Sequence, residues 1–312
     1  MKKLLITALL TPILITLSGC FTGVESTPKI AYKESKDKKA EGSSYEESLA
    51  KSFVTQDFLD WKMGKPFYVA SDRINLVLTP DSPASSAPSV GKTLLYKGYQ
   101  NVTDLTGNEI VELTFSSADN PGEIFTYRTN ATLEELKERK KLQIPFTIDL
   151  DLLAKVHETI VGENLYIKTS LWYNKDGSTV NGRKFIPVHI TDVQPANEIY
   201  PYIILFTDNN GAEHALFMSL HTGTRWNPRE LPSLFSFTDP RTNYPQITDE
   251  MWNHITHSRV ARGMTKTEVM LAVGNPLNID RGHTTASAYE RWSYSDGVYL
   301  VFEDGLLIQF NR

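Results

Sequence analysis

The central part of the chain contains two stretches in which glycine, apolar and aromatic residues follow the same order. Residues 63–69 read MGKPFYV and residues 161–167 read VGENLYI, so each runs apolar, Gly, two variable positions, apolar, Tyr and a β-branched residue. The order continues in four later matches: residues 91–95 with 182–186, Val102 with Val193, residues 111–115 with 202–206, and Gly122 with Gly211. The first three of these matches share one offset. The repeat favours two copies of one β-rich unit, a small barrel or a curled sheet. Chance similarity among strands rich in Gly, Tyr and Val is the alternative.

A helix is predicted before each unit. Residues 45–61 and 151–160 carry apolar residues at roughly the spacing of a helix face. Between the units, Thr132 and Glu135 form the capping-box pattern that begins a short charged helix reaching Lys141. Residues 81–89 (DSPASSAPS) and the proline-interrupted residues 221–244 predict irregular connections. The predicted domains are residues 45–130, residues 131–244 and a C-terminal module over residues 245–312.

The N-terminus has the layout of an export signal. Lys2 and Lys3 precede an uncharged apolar stretch over residues 4–17, and small residues follow it before Cys20. The stretch is too short to span a bilayer, which takes about 20 residues of helix. Residues 17–20 (LSGC) resemble the lipobox of bacterial lipoproteins, whose cysteine carries a thioether-linked diacylglycerol and an N-linked acyl chain such as palmitate. The resemblance implies a signal peptide over residues 1–19 and lipid attachment at Cys20.

The residues around Cys20 fit an anchored protein. Cys20 is the only cysteine, so it cannot form an internal disulfide. The alternative is an ordinary secreted protein that is cut elsewhere and keeps a stray thiol. Residues 20–44 are rich in Lys, Glu, Ser and Thr and contain little to bury, which is typical of a flexible tether. Phe21 rather than Asp follows the cysteine. Resemblance to enterobacterial sorting then implies the periplasmic face of the outer membrane, if the host has two membranes.

The charge of the chain argues against nucleic acid as a partner. The formal net charge is −5, and removal of Lys2 and Lys3 makes it −7. A mildly acidic chain without a basic cluster lacks the electrostatic footprint of a nucleic-acid-binding protein. We therefore expect two partners: the membrane, through the lipid on Cys20, and a protein of the cell envelope.

The residues from 245 onward give the clearest structural pattern. Thr248 is a predicted N-cap of one helix, and Thr265 with Glu268 forms a capping box for a second. Gly274 suits the left-handed position after that helix, and Pro276 prevents its continuation.

Three strands are predicted after the second helix. Trp292 and Tyr294 alternate on the first strand, and Val298, Leu300 and Phe302 alternate on the second. Residues 306–310 form the third. Asp-Gly pairs at residues 296–297 and 304–305 predict the two hairpin turns. The module is therefore expected to place two helices on one face of a three-stranded antiparallel sheet.

The C-terminal motifs resemble those of the SmpA/OmlA lipoproteins. These are the BamE-like accessory subunits of the outer-membrane β-barrel assembly machine, and the β-lactamase inhibitor proteins share their fold of two helices on a three-stranded sheet. The resemblance covers about a fifth of the chain, and it marks structural rather than catalytic residues. In the family the module follows closely behind the anchor, whereas here roughly 200 residues intervene. The matching residues are Gly263, Met264, Thr265, Glu268, Val269, Gly274, Pro276, Trp292, Tyr294, Phe302 and Gly305.

Known catalytic motifs are missing from the sequence. It contains no Gly-x-Ser-x-Gly, Walker, Gly-x-Gly-x-x-Gly or His-Glu-x-x-His pattern. His254 and His257 are the nearest candidates for a metal site, but no third ligand is evident and solvated helix histidines are the default. Asp149 and Asp151 are better explained as partners of a helix dipole than as a catalytic pair. We expect no catalytic residue, cofactor or metal, and we expect His189 and His214 on a solvent-facing side.

These patterns predict an α+β protein: two tandem β-rich units, each preceded by a helix, and then the C-terminal module. The expected function is that of a non-enzymatic envelope lipoprotein that binds another protein, linked to outer-membrane protein assembly or envelope integrity. The alternative is a ligand-binding protein or enzyme with a pocket between the two central units. A concave apolar pocket with converging polar groups would favour the alternative, and a flat exposed apolar patch would favour protein binding.

Overall fold

The computed structural model describes residues 44–82, 88–174, 176–220, 229–283 and 288–311. The chain divides into two units, Met1–Gly42 and Ser43–Arg312, and only residues of the second are described. Cys20, the predicted signal peptide, nearly all of the predicted tether, and much of the predicted loops at residues 81–89 and 221–244 lie outside the described residues.

The second unit is α+β, and its sheets are antiparallel throughout the described pairings. The helices are α1 (Tyr45–Ser52), α2 (Leu133–Arg139), α3 (Leu150–Ile160), α4 (Leu231–Leu234), α5 (Asp249–Thr256) and α6 (Lys266–Val273). The strands are β1 (Pro66–Val69), β2 (Leu78–Pro80), β3 (Thr93–Thr103), β4 (Glu109–Ser117), β5 (Ile124–Arg128), β6 (Thr147–Asp149), β7 (Asn164–Ile167), β8 (Leu171–Tyr173), β9 (Thr179–Asn181), β10 (Ile186–Pro195), β11 (Tyr202–Thr207), β12 (Glu213–Met218), β13 (Phe235–Ser236), β14 (Asn278–His283), β15 (Ala288–Ser293), β16 (Tyr299–Glu303) and β17 (Leu306–Asn311).

The first sheet has the strand order β2-β5-β4-β3-β1-β6. Its core surrounds Val111, Leu113 and Phe115, alternate residues of β4 that are fully buried. Alternation of side chains along a strand places these three on one face of the sheet. This face is closed by α2 and by the segment that carries Phe58 and Trp61.

The second sheet has the strand order β13-β7-β10-β11-β12-β8-β9. Helix α3 packs on β10, with its buried Leu152, Val156 and Ile160 spaced as in an amphipathic helix. Because β6 ends at Asp149 and α3 begins at Leu150, the edge of the first sheet leads directly into the helix of the second.

The predicted domain limits, residues 45–130 and 131–244, grouped α1 with the first sheet and α2 with the second. In the structure each helix packs with the other sheet. Leu49 of α1 and the following Phe53 lie in the core of the second sheet, whereas Leu136 of α2 lies in the core of the first.

Glu46 holds α1 in place, since its Oε1 accepts hydrogen bonds from Phe237 N at 2.9 Å and Ser236 Oγ at 3.1 Å. Burial acts to raise the pKa of Glu46, but these bonds outweigh it and the pKa is lowered.

The predicted helix over residues 45–61 is too long. Helix α1 ends at Ser52, and a short 3-10 turn covers Phe58–Asp60. The intervening residues include the β-branched Val54 and Thr55, which have poor helix propensity. Helices α2 and α3 lie within two residues of their predicted bounds, and the capping box of Thr132 and Glu135 is confirmed.

The strand registers of the two central sheets refine the predicted alignment. Phe67 of β1 pairs with Leu94 of β3, and Leu165 of β7 pairs with Val188 of β10. Leu94 and Val188 thus hold matching positions in these pairings, whereas the predicted alignment placed Leu94 against Phe185. Each long strand then carries a register shift at an equivalent place, between Tyr96 and Gly98 in β3 and between Ile190 and Asp192 in β10.

The C-terminal sheet has four strands, in the order β14-β15-β16-β17, rather than the predicted three. Strand β14 was missed because its sequence, NIDRGH, lacks the alternation of apolar residues that marks a half-buried strand. Tyr294 was predicted on the same strand as Trp292. It lies just after that strand, because β15 ends at Ser293. The Asp304-Gly305 turn is confirmed: both residues have positive φ, 47° and 87°, as a two-residue hairpin turn requires.

Candidate functional site

The residues of the C-terminal module that carry the predicted resemblance serve its packing and its turns. Thr265 and Glu268 form the predicted capping box, and Glu268 Oε2 accepts a hydrogen bond of 2.6 Å from Thr265 N. The buried apolar members, which include Trp292 and Phe302, lie in one core with α5 and α6. Gly263 and Gly305 stand at the chain reversals before α6 and between β16 and β17, and Pro276 follows α6. The buried members are Met264, Glu268, Val269, Trp292 and Phe302.

Leu300 and Phe302 of β16 point into this core, so Tyr299 and Val301 point to the opposite face. The alternation predicted for β16 is confirmed, and the structure shows that the side of Leu300 and Phe302 is the inner one. Arg291 pairs with Val301 on that outer face, and its guanidinium carbon lies 4.5 Å from the ring centroid of Tyr299. Tyr289, 43% exposed, stands on the same side of β15. The outer face thus offers two tyrosines, a valine and an arginine to solvent or to a partner.

A second candidate site starts from Lys65, which sequence reasoning did not single out. Its side chain is 2% exposed, and its Nζ lies 2.8 Å from Asp149 Oδ1 and 2.8 Å from Asp151 Oδ2. Asp149 is also the N-cap of α3, because its Oδ1 accepts hydrogen bonds from the backbone N–H groups of Asp151 and Leu152. The expected association of both aspartates with the start of the helix is confirmed, and the buried lysine adds a second reason for them. Nothing in the local sequence around Lys65 signals a partner more than 80 positions away.

Beside this ion pair a cavity of about 520 Å³ opens between the first and second sheets. The first sheet contributes Phe67 and residues of β6, and the second contributes Tyr202 of β11 with Leu152 of α3. The remaining wall comes from the segment after α1 and from the loop between α2 and β6. The cavity lies where the alternative prediction placed a pocket, between the two central units. Its lining consists mostly of apolar side chains.

The histidines do not form a metal site in the described residues. No group of three or more His, Cys, Asp or Glu side chains close enough to share an ion occurs there. His257 Nδ1 instead lies 2.8 Å from the carbonyl oxygen of Asn253 in its own helix. His189 is exposed as expected. His214 is not: it packs against Trp172 and Phe206, and its Nδ1 is buried with no hydrogen-bond partner among the described residues.

Comparisons with known proteins add no assignment: no family model, no curated protein and no solved structure matches this chain. Within the part of the chain that the structure covers, no helix combines the length and the apolar character needed to cross a bilayer.

Proposed function

We propose that the protein is a lipid-anchored lipoprotein of the bacterial envelope that binds another envelope protein and catalyses no reaction. The docking element in this proposal is the outer face of the C-terminal sheet. The anchor is the lipid on Cys20, and residues 20–44 connect it to the folded unit that begins at Ser43. Confinement by such a tether raises the effective concentration of the protein near other membrane-bound partners.

One observation carries the proposal: the outer face of the C-terminal sheet presents aromatic and basic side chains that the core of the module does not use. Tyr289, Tyr299 and Arg291 belong to the residue types that are enriched at protein interfaces. Arg291 stacks on Tyr299, which orders a flexible side chain before a partner arrives. A preordered side chain loses less conformational entropy on binding.

The family resemblance supports the same function. We propose that residues 245–312 form an SmpA/OmlA-like module, enlarged at one edge by β14, and that it serves envelope integrity or outer-membrane protein assembly. We propose further that the two central sheets are copies of one unit. The equivalent order β1-β3-β4-β5 and β7-β10-β11-β12, with equivalent register shifts in β3 and β10, supports this.

Crosslinking in the native host tests the docking face. The double variant Tyr299→Ala, Val301→Ser removes apolar area from that face only. The matched control is Tyr99→Ala, Val90→Ser, which removes the same two side-chain types, 43% and 45% exposed, from β3 and the segment before it. We expect the first variant to keep its melting temperature and lose the crosslinked partner that mass spectrometry identifies for the wild type and the control.

Two results would count against this assignment. If the double variant unfolds, the outer face belongs to the core of the module and is not a docking site. If it folds and every crosslink survives, the module is a structural end-piece and the partner contacts the central sheets.

A further inference from the structure

We propose that the cavity between the first and second sheets binds an organic ammonium ion that carries a compact apolar body. The site is separate from the docking face, since its walls come from β1, β6, β11 and α3. It therefore adds a second ligand to the proposed function, and neither assignment depends on the other.

The size and lining of the cavity suit a small molecule. Its volume of about 520 Å³ lies within the range of ligand pockets, roughly 300–1,000 Å³. Phe67, Ile144, Ile148 and Leu152 supply apolar surface from three different elements. Each of these side chains is almost fully buried in the fold, so the lining is held rigidly by both cores. A preformed apolar lining favours a ligand with an alkyl or aryl body.

Tyr202 supplies a polar group inside this apolar lining. It is only 3% exposed and lines the cavity. Burial, and then the negative charge of Asp149, raise the pKa of Tyr202 far above its usual range, so the hydroxyl stays neutral. Among the described residues this hydroxyl has no hydrogen-bond partner. The hydroxyl is therefore available to hydrogen-bond to a ligand that enters the cavity.

Asp149 supplies a second acceptor. Its Oδ1 is occupied by Lys65 and by two backbone N–H groups. Its Oδ2 accepts no hydrogen bond among the described residues, and Asp149 lines the cavity together with Ile148 and Leu152. A carboxylate oxygen accepts hydrogen bonds only, so the complementary ligand group is an N–H or O–H donor.

The balance of charge selects a cation among such donors. Lys65 is a single positive charge between two carboxylates, Asp149 and Asp151. Lys141, which also lines the cavity, is paired with Asp57, whose Oδ1 lies 2.5 Å from its Nζ. Because Lys65 is shared between two carboxylates, the carboxylate of Asp149 keeps an excess of negative charge. An ammonium group on Asp149 Oδ2 would neutralise that charge and could donate a second hydrogen bond to the Tyr202 hydroxyl.

Calorimetric titration of the full chain with three compounds of equal alkyl length tests the proposal. The compounds are n-octylamine, n-octanol and sodium octanoate, below their aggregation concentrations. We expect the amine to bind at least about tenfold more tightly than the alcohol, because a charge-assisted hydrogen bond replaces a neutral one. We expect the carboxylate to bind most weakly, because it meets the excess negative charge.

Two single substitutions locate the binding site. Asp149→Asn removes the cavity carboxylate and keeps a good N-cap for α3. Asp151→Asn is the matched control, because it removes the other carboxylate on Lys65, 55% exposed and outside the cavity lining. We expect the first to weaken amine binding about tenfold and the second to weaken it much less. Tyr202→Phe, which deletes one oxygen, should weaken amine binding while leaving the fold intact.

Several results would overturn the assignment. These are no measurable amine binding by the folded wild type, octanoate binding as tightly as octylamine, or equal losses from Asp149→Asn and Asp151→Asn. If Asp149→Asn does not fold, unchanged amine binding by Tyr202→Phe overturns the assignment in its place. The crosslinking result for Tyr299 and Val301 has no bearing on these outcomes, so the two proposals fail independently.

Discussion

The hydroxyl of Tyr294 donates a hydrogen bond of 3.0 Å to the carbonyl oxygen of Gly274, and so ties the residue after β15 to the end of α6. Gly274 has φ 86° and ψ −171°, a conformation that essentially only glycine adopts without strain. Burial raises the pKa of Tyr294 to about 12, so the hydroxyl remains a donor at physiological pH. Gly274 and Tyr294 thus meet at one helix cap.

Substitution of Gly274 should destabilise the fold. Gly274→Val places a β-branched side chain at positive φ, and we expect the free energy of unfolding to fall by at least about 1 kcal/mol. Space is not the cause, since a Cβ at this position meets no atom within 4 Å. Urea denaturation measures the change. Tyr294→Phe should cost about 1 kcal/mol through the lost hydrogen bond alone. An unchanged midpoint for Gly274→Val would show that the cap conformation is not required.

Lys65→Met should be among the most destabilising substitutions outside the apolar core. It leaves the side chain of Asp149, which is 11% exposed, without its cation, and loss of one partner of a buried ion pair typically costs about 3–5 kcal/mol. Asp151→Asn should cost much less, because that carboxylate is 55% exposed and well solvated. Thermal unfolding of both variants checks the order. Equal effects would mean that Lys65 contributes through packing rather than through its charge.

The helix termini were predictable from the sequence because caps are local. Thr132, Thr248 and Thr265 each accept the backbone hydrogen bond expected of an N-cap. Both Asp-Gly turns of the C-terminal sheet were found for the same reason, as their chemistry lies within a few adjacent residues.

Long-range pairings were not predictable in this way. Strand β14 consists of NIDRGH and is held by its register with β15, which no local pattern reveals. The pairings of β3 and β10 differ from the predicted offset between them, because a strand register depends on the partner strand and on the residue inserted at the register shift. Lys65 and Tyr202 meet Asp149 only after the two sheets are assembled, so the cavity could be placed between the units but its residues could not be named.

Cys20→Ser tests the anchor. If Cys20 carries the lipid, the substitution should abolish metabolic labelling by an alkyne fatty acid and release the chain from the membrane fraction. The thioether and N-acyl chains together bury many methylenes at about 0.8 kcal/mol each, so the wild type should remain bound after a salt wash. Ser18→Ala, two residues before the cysteine, controls for changes in processing. Labelling that persists in Cys20→Ser would rule out lipidation at this residue.

Lys184 should make the stability of the protein depend on pH. Its Nζ donates a hydrogen bond of 2.6 Å to the carbonyl oxygen of Ala272, near the end of α6, and its backbone N–H donates to the carbonyl oxygen of Thr256. Phe185 follows it and packs near Trp252, with 5.7 Å between ring centroids. These contacts join the second sheet to the C-terminal module. Burial lowers the pKa of Lys184 from 10.5 to about 8.

The sign of the effect follows from proton binding. Between pH 8 and 10.5 the unfolded chain holds the proton of Lys184 more tightly than the folded chain, so the free energy of unfolding rises with pH across this window. Below pH 8 the lysine is charged in both states, and the cost of burying that charge is fully present.

Lys184→Met removes the titrating group. We therefore expect the stability of the wild type to increase relative to Lys184→Met as the pH rises from 8 towards 10.5. Urea denaturation of both proteins over this range measures the difference, in which the tyrosine titrations cancel. The exposed Lys62→Met controls for loss of a surface charge. The difference in the free energy of unfolding between wild type and Lys184→Met could instead stay constant with pH. That result would show that Lys184 is solvated at the junction between the second sheet and the C-terminal module, and that its charge does not destabilise this contact.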